Sequence, residues 1–249
     1  MTKTSKNNKM KPQIKPPKND DSIIVCWCDN GSTDGKFTEG LMYTALTSRD
    51  VPIASAMRIQ GNQIGRQRQV AFDFWMDNTD FPWILWVDSD IELTRDALRL
   101  VWNEVDPTTK PVVSGVYFVS KENEQSLMAP YPAIFTWTDD PHKIGYVHPL
   151  PKSALVKVGA AGFGFLLMHR NVGVKMREVH GKKPFFNETG VGEQFVSEDI
   201  NFFRMMADAG IPLFAHTGAT VRHYKRFAYD IEYYKLFWNS SETNPRIKA

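Results

Sequence analysis

The sequence predicts an α/β fold in which a mostly parallel central sheet is flanked by helices. Between residues 21 and 238, short apolar segments that suit buried strands alternate with segments whose apolar residues recur at helical spacing. The links between them are short, and strands that alternate with helices pair in parallel through crossover connections. This span contains no linker and no repeat, so we expect one domain between two tails, at 1–20 and 239–249.

The first half of the chain predicts four strands and three helices. The strands fall near residues 22–28, 52–59, 83–87 and 111–119, and the helices near 37–47, 65–78 and 94–102. In the second helix, Val70 and Phe74 lie one turn apart, as do Ala71 and Trp75, which predicts an apolar face turned toward the core. Thr94 is the expected N-cap of the third helix, because its hydroxyl can satisfy a free backbone N–H there.

A proline-rich segment over residues 129–151 interrupts this alternation. It holds five prolines and several aromatic residues, a composition that favours an irregular segment lining a cavity over a sheet element. Tyr131, Trp137 and Tyr146 lie among the prolines. One of them is therefore expected to stack on a sugar or a base.

The end of the chain is expected to return to strands and a helix. Strand character resumes over residues 154–168, through a glycine-rich stretch. A helix is expected to begin after the N-cap Ser197 and to end at Gly210, because glycine tolerates the left-handed backbone of a helix stop. Two short strands, at 211–214 and 219–223, are expected to follow.

The composition is that of a globular protein that needs no disulfide. Hydrophobic residues make up 42% of the chain and charged residues 23%, which excludes a wholly disordered or fibrous chain. Cys26 and Cys28 lie two residues apart on one predicted strand, an awkward spacing for a mutual bridge, so we expect a reducing compartment. No apolar run approaches the roughly 18–20 residues of a membrane span, and no secretory signal is evident. A cytoplasmic protein is expected, in the host cytoplasm if the source is viral.

The charge is distributed unevenly along the chain. The formal net charge is +2, yet residues 1–20 hold six lysines and one acidic residue, Asp20. Three prolines and few apolar side chains accompany the lysines, so this segment is expected to be a disordered basic tail. Such a tail either keeps a protein soluble or gathers an anionic partner such as nucleic acid.

An acid pair, Asp88 and Asp90, directly follows the apolar strand near residues 83–87. In an open parallel sheet, ligands bind beyond the carboxyl ends of the strands, which is where this pair is placed. Two such carboxylates can share one hard cation, or one can bind the cation and the other a ligand hydroxyl. Aspartates at strand ends also cap turns, so the pair alone leaves both interpretations open.

Five motifs, taken in order, resemble the metal-dependent nucleotide-sugar glycosyltransferases of the GT-A (Rossmann-like) fold. They are the strand–turn unit 28–34, the triplet 88–90, the glycine-rich stretch 162–165, the helix start 197–199 and the segment 221–225. The resemblance spans residues 22–226 and is greatest to short, single-domain members found in bacteria and phages. It implies a hexosyl- or pentosyltransferase whose donor is a nucleotide-sugar, with UDP as the expected nucleotide.

The resemblance implies a metal site with few protein ligands. Asp90 would bind Mn²⁺ or Mg²⁺ at the donor diphosphate, and Asp88 would contact the donor's ribose or sugar, or share the cation. His223 matches the histidine that completes the metal site in many members; as an alternative, a histidine between basic residues also suits an exposed surface. A divalent cation suits this reaction because it stabilises the negative charge left on the diphosphate.

Basic residues near these motifs are candidates to hold the donor. Arg66 and Arg68 open the second helix, and both arginines and helix N-termini favour anions, although a solvated helix end is the alternative. Arg222, Lys225 and Arg226 flank the late histidine and are expected to pair with the diphosphate.

Three further positions are candidate donor contacts. By the resemblance, Asp29 lies where this fold contacts the nucleobase or ribose. Gly162 and Gly164 either let a backbone approach the sugar or the acceptor, or allow tight packing of neighbouring strands.

Asp199 is the expected catalytic base, and Glu198 is the alternative. In inverting members of the resembled family, the aspartate of this motif deprotonates the acceptor hydroxyl. Acidic residues in the first turn of a helix are also favoured by the helix dipole, whatever the function. A base would need to lie within about 3 Å of the acceptor oxygen.

Two other function classes suit the same residues. A phosphodiesterase or nuclease would use Asp88, Asp90, Asp199 and His223 to hold two metals, although a single late histidine fits one metal better. A binding module would hold a nucleotide or a sugar without turnover. The acid triplet and the candidate base are both present, which argues against a degenerate site.

The basic tail yields a prediction about the acceptor, for which a hydroxymethylated base in DNA is one candidate. Deleting residues 2–18 is expected to weaken DNA binding and to flatten its salt dependence, because each phosphate contact steepens the fall of affinity with salt. Fluorescence anisotropy across a salt titration measures both effects, and donor hydrolysis should be unchanged. If the full-length protein does not bind DNA at low salt, a glycan or a small molecule becomes the expected acceptor.

Overall fold

The computed structural model describes residues 21–123, 126–140, 143–191 and 194–225. The two expected tails lie outside these ranges, as do Arg226 and the rest of the expected domain beyond residue 225. Among the described residues no helix is long and apolar enough to cross a membrane. Cys26 and Cys28 are both buried with free thiols.

The described residues form sixteen strands and five helices, which alternate through the first half of the chain. The strands are β1 Ile23–Asp29, β2 Ile53–Gln60, β3 Trp83–Val87, β4 Ile91–Glu92, β5 Val112–Val116, β6 Phe118–Asn123, β7 Ser126–Pro132, β8 Ile134–Trp137, β9 Ile144–Tyr146, β10 Leu155–Val158, β11 Ala160–Ala161, β12 Phe165–His169, β13 Thr189–Val191, β14 Gln194–Val196, β15 Leu213–Thr220 and β16 Arg222–His223. The helices are α1 Gly35–Thr47, α2 Ile64–Asn78, α3 Arg95–Trp102, α4 Arg170–His180 and α5 Glu198–Asp208.

Seven strands form the central sheet, in the order β10-β15-β5-β12-β3-β1-β2. Strand β1 pairs in parallel with β2 and β3, and β15 pairs in parallel with β5. Strand β12 runs antiparallel to both β3 and β5, and β10 runs antiparallel to β15. Five strands therefore share one direction. The predicted α/β fold, with a mostly parallel sheet flanked by helices, is confirmed.

The helices cover both faces of the sheet. On one face, Val25 and Leu85 pack with Phe37 of α1 and Leu98 of α3. On the other face, the neighbouring strand residues pack with α2, α4 and α5, where Phe72, Trp75, Met176, Phe202 and Phe203 are buried. Because successive strand residues point to opposite faces, each apolar strand supplies both cores.

The apolar face of α2 differs from the predicted one. Ala71 and Trp75 are buried as expected, but Val70 is 48% exposed, and Phe72 and Met76 lie in the core instead. The prediction for Val70 was wrong because the buried stripe is offset by one residue, about a quarter of a turn. The buried stripe includes Arg68, a charged residue that a search for apolar spacing does not select.

The proline-rich segment is more regular than the sequence indicates. Strands β7, β8 and β9 occupy about half of residues 129–151, so the prediction that this segment is not a sheet element was wrong. Among the described residues, strand β7 pairs with β6 alone, and prolines, which have no N–H, are tolerated on the side without a partner. Tyr131 and Tyr146 stack on each other with ring centroids 4.5 Å apart.

Other boundaries differ where a single predicted strand is divided or two are joined. The expected strand near 111–119 is two strands, β5 and β6, and the expected strand over 154–168 is divided among β10, β11 and β12. The two strands expected at 211–214 and 219–223 are a continuous β15 followed by the short β16. Helix α4 was not predicted. Its interior holds Gly173 and three valines, residues with low helix propensity.

The helix caps follow the sequence closely. The Thr94 hydroxyl accepts a hydrogen bond from the backbone N–H of Ala97, as predicted for the N-cap of α3. Gly210 has φ +72°, the left-handed backbone that ends α5. Ser197 occupies the N-cap position of α5, but its hydroxyl bonds to the side chain of Asp199 and makes no cap bond.

Candidate active site at the carboxyl edge of the sheet

The expected functional residues gather at one edge of the central sheet. Asp29 ends β1, residues 88–90 follow β3, and His223 lies in β16, which comes directly after β15. Residues 162–164 lie at the same edge because they precede β12, which runs in the opposite direction. The carboxyl ends of the parallel strands therefore assemble four of the five motifs, and α5 brings the fifth.

Arg68 of α2 lies at the centre of this assembly. Its side chain is only 6% exposed, and its Nη2 donates to Asp88 Oδ1 at 3.0 Å while Nη1 donates to Glu198 Oε1 at 2.7 Å. The guanidinium also lies 5.1 Å from the centre of the Phe163 ring. One buried cation therefore joins α2, the β3 terminus and the start of α5. The prediction that Arg68 holds donor phosphates stays a prediction.

Gly65 lets the two helix starts approach each other. A Cβ there would lie 2.6 Å from the backbone oxygen of Phe186 and 3.3 Å from Glu198 Cβ. Such distances leave no room for a larger residue. The absence of a side chain at Gly65 thus allows Glu198 to reach Arg68.

Burial and charge set the protonation of this cluster. Burial raises the pKa of Glu198, and the nearby carboxylate of Asp199 raises it as well. Arg68 lowers it by less, so the pKa of Glu198 is above its usual value. Burial alone would lower the pKa of Arg68, but Asp88, Asp199 and Glu198 raise it above its usual value. Arg68 therefore keeps its positive charge among three acidic neighbours.

Asp199 is oriented by its own helix start. Its Oδ1 accepts hydrogen bonds from the Ser197 hydroxyl and from the backbone N–H of Ile200, the latter at 2.7 Å. Among the described residues, Oδ2 of Asp199 has no hydrogen-bond donor. The side chain is half-buried, so one oriented carboxylate oxygen remains available beside the cluster.

Asp90 forms the second charged cluster, with His223 and Lys225. Lys225 Nζ lies 2.6 Å from Asp90 Oδ2, and His223 Nε2 lies 3.3 Å from the same oxygen. The backbone pairing of Arg222 with Glu92 and His223 with Ile91, between β16 and β4, places the histidine there. Burial raises the pKa of Asp90, but the contacts with His223 and Lys225 outweigh burial and lower the pKa below its usual value, so Asp90 is ionised at neutral pH.

The other nitrogen of His223 determines its tautomer. Nδ1 lies 2.9 Å from the backbone oxygen of Phe118, and because a carbonyl has no hydrogen, Nδ1 must be the donor. In the neutral ring, Nε2 is then an acceptor that faces the Asp90 carboxylate. Two acceptor atoms turned toward each other suit a shared cation, and a backbone carbonyl on the remote nitrogen is the usual support for a metal-binding histidine.

The two acceptor atoms suit one small divalent cation. Two neighbouring ligands of an octahedral ion with bonds of about 2.1 Å lie about 3 Å apart, close to the 3.3 Å between Asp90 Oδ2 and His223 Nε2. In the described part of the chain, no group of three or more histidine, cysteine, aspartate or glutamate residues could hold a metal. Asp88 bonds to Arg68 instead. A cation here would depend on two side chains and on ligand phosphates.

Asp29 is already fully paired. Arg58 donates to both of its oxygens, from Nε at 2.6 Å and from Nη2 at 2.7 Å, and the backbone N–H of Gly31 donates to Oδ1 at 2.7 Å. The hydrogen bonds from Arg58 lower the pKa of Asp29. Gln67 ties the same strand end to α2, since its Nε2 donates to the Asp29 backbone oxygen. A contact between Asp29 and a base stays a prediction, whereas Arg58 is 42% exposed beside it.

The ring of Tyr117 occupies the space beside the two glycines. A Cβ on Gly162 would lie 1.9 Å from Tyr117 Oη, and one on Gly164 would lie 2.8 Å from the ring and 3.1 Å from Asp88 Oδ2. Tyr117 also meets His223 edge to face, with ring centroids 5.1 Å apart. The tight-packing interpretation of both glycines fits these contacts. Their approach to a ligand stays a prediction.

Two basic candidates lie at the rim. Arg66 is exposed between two open clefts of 760 and 540 Å³ on either side of the α2 start. Arg222 is 77% exposed, and its Nη1 lies 3.3 Å from Glu92 Oε2, on the wall of a third cleft of 710 Å³. Neither arginine contacts Asp88 or Asp90.

The sequence interpretation missed Arg58 and Tyr117. Tyr117 directly follows β5 at the carboxyl edge, so the rule that selected Asp88 would have selected it as well. Arg58 lies inside β2, two residues before the strand end. Only the register of β1 against β2 brings it to Asp29, and no spacing in the sequence signals that contact.

Comparisons with known proteins place the fold. No protein-family model matches the sequence, and a search of curated proteins gives no match. Among solved structures, A197 from STIV is similar with a TM-score of 0.51 and 17% identity, over 82% of this chain and 86% of that chain. At that identity the likeness shows a shared fold and nothing finer.

Two further structures are similar at lower scores. GalNAc-T7, in a crystal structure with UDP, GalNAc and Mn²⁺, has a TM-score of 0.49 and 10% identity, over 83% of this chain and 44% of that chain. A CMP:2-keto-3-deoxy-manno-octonic acid synthetase in complex with CTP has a TM-score of 0.42 and 12% identity, over 90% of this chain and 99% of that chain.

Replacing Arg68 tests the central cluster. Arg68→Met is expected to destabilise the fold by about 3–5 kcal/mol near pH 8, because it leaves buried carboxylates without their cation. Glu198 then has a pKa raised further above the ordinary glutamate value of about 4.3, so stability falls as pH rises through that raised pKa. The deficit should shrink at pH 5. Urea unfolding at both pH values measures it.

The control is the neighbouring arginine on the same helix. Arg66→Met removes the same charge from an exposed position and should change stability by about 0.5 kcal/mol or less at either pH. Adding Glu198→Gln to Arg68→Met should recover part of the loss at pH 8. A deficit that does not vary with pH would show that Arg68 acts through packing alone.

Proposed function

We propose that this protein is a metal-dependent glycosyltransferase that moves a sugar from a nucleotide-sugar, with UDP as the nucleotide, to an acceptor hydroxyl. The observation that carries the proposal is the meeting of Asp90 Oδ2 and His223 Nε2, 3.3 Å apart at the carboxyl edge of the sheet. Two ligands there suit a cation that also binds a diphosphate. The order of motifs along the chain supports the same activity.

Asp90 and His223 would hold Mn²⁺ or Mg²⁺. When bound, the cation stabilises negative charge on the departing diphosphate. The structure supports this pairing through the Nδ1–H of His223, which donates to Phe118 and so turns the Nε2 lone pair toward Asp90. The imidazole ring is 8% exposed, which keeps it in that orientation.

Asp88 is placed to contact the donor sugar or ribose. Arg68 holds its Oδ1, and among the described residues Oδ2 has no hydrogen-bond partner. An oriented, free carboxylate oxygen is a good acceptor for a sugar hydroxyl. We therefore assign Asp88 to the donor and not to the cation.

Asp199 would act as the base in an inverting reaction. Its free Oδ2 would take the acceptor proton while the acceptor oxygen bonds to the anomeric carbon and the diphosphate leaves from the opposite face. Ser197 and the Ile200 N–H hold the other oxygen, so the side chain is oriented before the acceptor binds. Glu198 is the poorer candidate because its Oε1 already accepts from Arg68; it positions Arg68.

A two-metal phosphodiesterase or nuclease is less well supported. That chemistry needs several ligands around a pair of ions about 3.5–4 Å apart. Within the described ranges, no cluster of three such residues could hold a metal. Asp88 bonds to Arg68, and Asp199 bonds to the start of its own helix.

Incubation with a panel of nucleotide-sugars and Mn²⁺ separates the classes. Slow donor hydrolysis supports glycosyl transfer, nucleotide release from DNA or RNA supports a nuclease, and binding without product supports a binding module.

The acceptor is a further part of the proposal. We favour a hydroxymethylated base in DNA because a lysine-rich tail would concentrate such a polyanion near the site. The tail lies outside the described residues, so this part of the proposal depends on the sequence alone.

Replacing Asp90 tests the metal site. Asp90→Ala is expected to abolish transfer and to remove the rise in melting temperature produced by Mn²⁺ together with UDP, because cation affinity depends on this carboxylate and the phosphates jointly. Differential scanning fluorimetry measures the rise. Asp96→Ala, an exposed aspartate on α3, is the control and should respond like the wild type. A variant at Asp90 that keeps the full rise would contradict the metal assignment.

Replacing Asp199 separates binding from chemistry. Asp199→Asn should leave UDP and Mn²⁺ binding near normal while transfer falls by about 10²-fold or more, the scale of a lost general base. Calorimetric titration measures binding, and release of UDP measures transfer. If UDP binding collapses instead, Asp199 is structural or a metal ligand, and the inverting mechanism is wrong.

A further inference from the structure

Lys225 forms an ion pair with Asp90, one of the two candidate metal ligands. Its ammonium is 2.6 Å from Asp90 Oδ2, the same oxygen that lies 3.3 Å from His223 Nε2. The carboxylate oxygen of one candidate metal ligand, which also faces the other, is therefore already paired with a positive charge that the chain itself supplies.

The ammonium is held at its tip alone. The Lys225 side chain is 65% exposed, and among the described residues its Nζ contacts no carboxylate other than that of Asp90. The backbone beside it is anchored, since the N–H of Tyr224 donates to the Asp90 backbone oxygen at 2.8 Å. The side chain can therefore leave Asp90 and stay within a few ångströms of it.

The neighbouring arginine behaves differently. Arg222 lies three residues earlier and pairs with Glu92, which also accepts a hydrogen bond from the Tyr224 hydroxyl at 2.7 Å. Two basic residues of one short segment thus have separate acidic partners. Of the two, Lys225 is the one that pairs with the oxygen that a metal would need.

We propose that Lys225 acts as a built-in competitor of the divalent cation, so that metal and diphosphate bind in concert. This inference rests on the proposed function, because it requires Asp90 and His223 to be metal ligands. A cation arriving alone must displace the ammonium from Asp90 and leave it without a partner. A cation arriving with a diphosphate displaces an ammonium that can then pair with the phosphates.

The consequence is a thermodynamic coupling between two ligands. Each ligand must raise the affinity of the other by the same factor, since the coupling free energy is reciprocal. Without the lysine, bare metal should bind more tightly and the diphosphate should add less. Loss of a partly exposed ion pair corresponds to a factor of about three to five in affinity.

The experiment measures Mn²⁺ affinity by the electron paramagnetic resonance signal of free Mn²⁺, at fixed ionic strength. Wild type, Lys225→Met and Arg222→Met are each titrated alone, with UDP and with inorganic pyrophosphate, the last as a probe that needs no base recognition. Lys225→Met is expected to bind bare Mn²⁺ about three- to fivefold more tightly than wild type. Its enhancement by UDP or pyrophosphate should be about tenfold smaller, because both the competition and the phosphate contact are lost.

Arg222→Met removes an equal charge three residues away and should leave the affinity for bare Mn²⁺ near the wild-type value. The proposal is overturned if Lys225→Met and wild type bind bare Mn²⁺ equally, or if Arg222→Met gains as much, which would indicate a general charge effect. Absence of Mn²⁺ binding by all three proteins, with or without pyrophosphate, overturns this inference and the metal assignment together. If the three proteins show the expected Mn²⁺ affinities but the wild type transfers no sugar from any nucleotide-sugar, the inference stands and the proposed function is wrong.

Discussion

The buried guanidinium of Arg68 is the interaction on which the geometry of the candidate site depends. It joins three segments that are far apart in sequence: the first turns of α2, the loop after β3 and the start of α5. A charge with so little solvent around it is tolerated only when it is paired and hydrogen-bonded, so Asp88 and Glu198 must stay in place for the helix to pack. The constraint acts in both directions, because the same cation holds the side chains of Asp88 and Glu198 near each other.

Charge pairing also organises the rest of the carboxyl edge. Asp29 is held by Arg58, and Asp90 is held by Lys225 beside His223. Each carboxylate that the sequence places after a strand thus has one basic partner from another segment. The pairs differ in the burial of the basic partner: the Arg68 side chain is enclosed, whereas the Lys225 side chain is exposed. The charged groups of such a site are in place before any ligand binds. This preorganisation would be the source of electrostatic stabilisation of a departing diphosphate.

Packing at this edge leaves little freedom to the loops. Tyr117 lies against Gly162, Gly164 and the ring of His223, so the β5 terminus, the loop before β12 and β16 support one another. The imidazole is fixed from two sides, by that ring contact and by the hydrogen bond to Phe118. The same contacts explain why residues 162 and 164 are both glycine, since even a methyl group at either position would meet Tyr117.

Sequence alone determined the α/β class, most strands and helices of the first half, and the placement of Asp88, Asp90 and Asp199 at strand or helix ends. Those features depend on short-range patterns: apolar period, turn and cap residues, and the rule that carboxyl ends of parallel strands meet. Tertiary structure decided which charges meet. Arg58 reaches Asp29 through strand register, Arg68 reaches Glu198 across 130 positions, and Lys225 reaches Asp90 across 135. No local sequence pattern encodes such pairings. A buried arginine or lysine has the same side chain as an exposed one, and only the tertiary structure determines which acidic residue lies beside it.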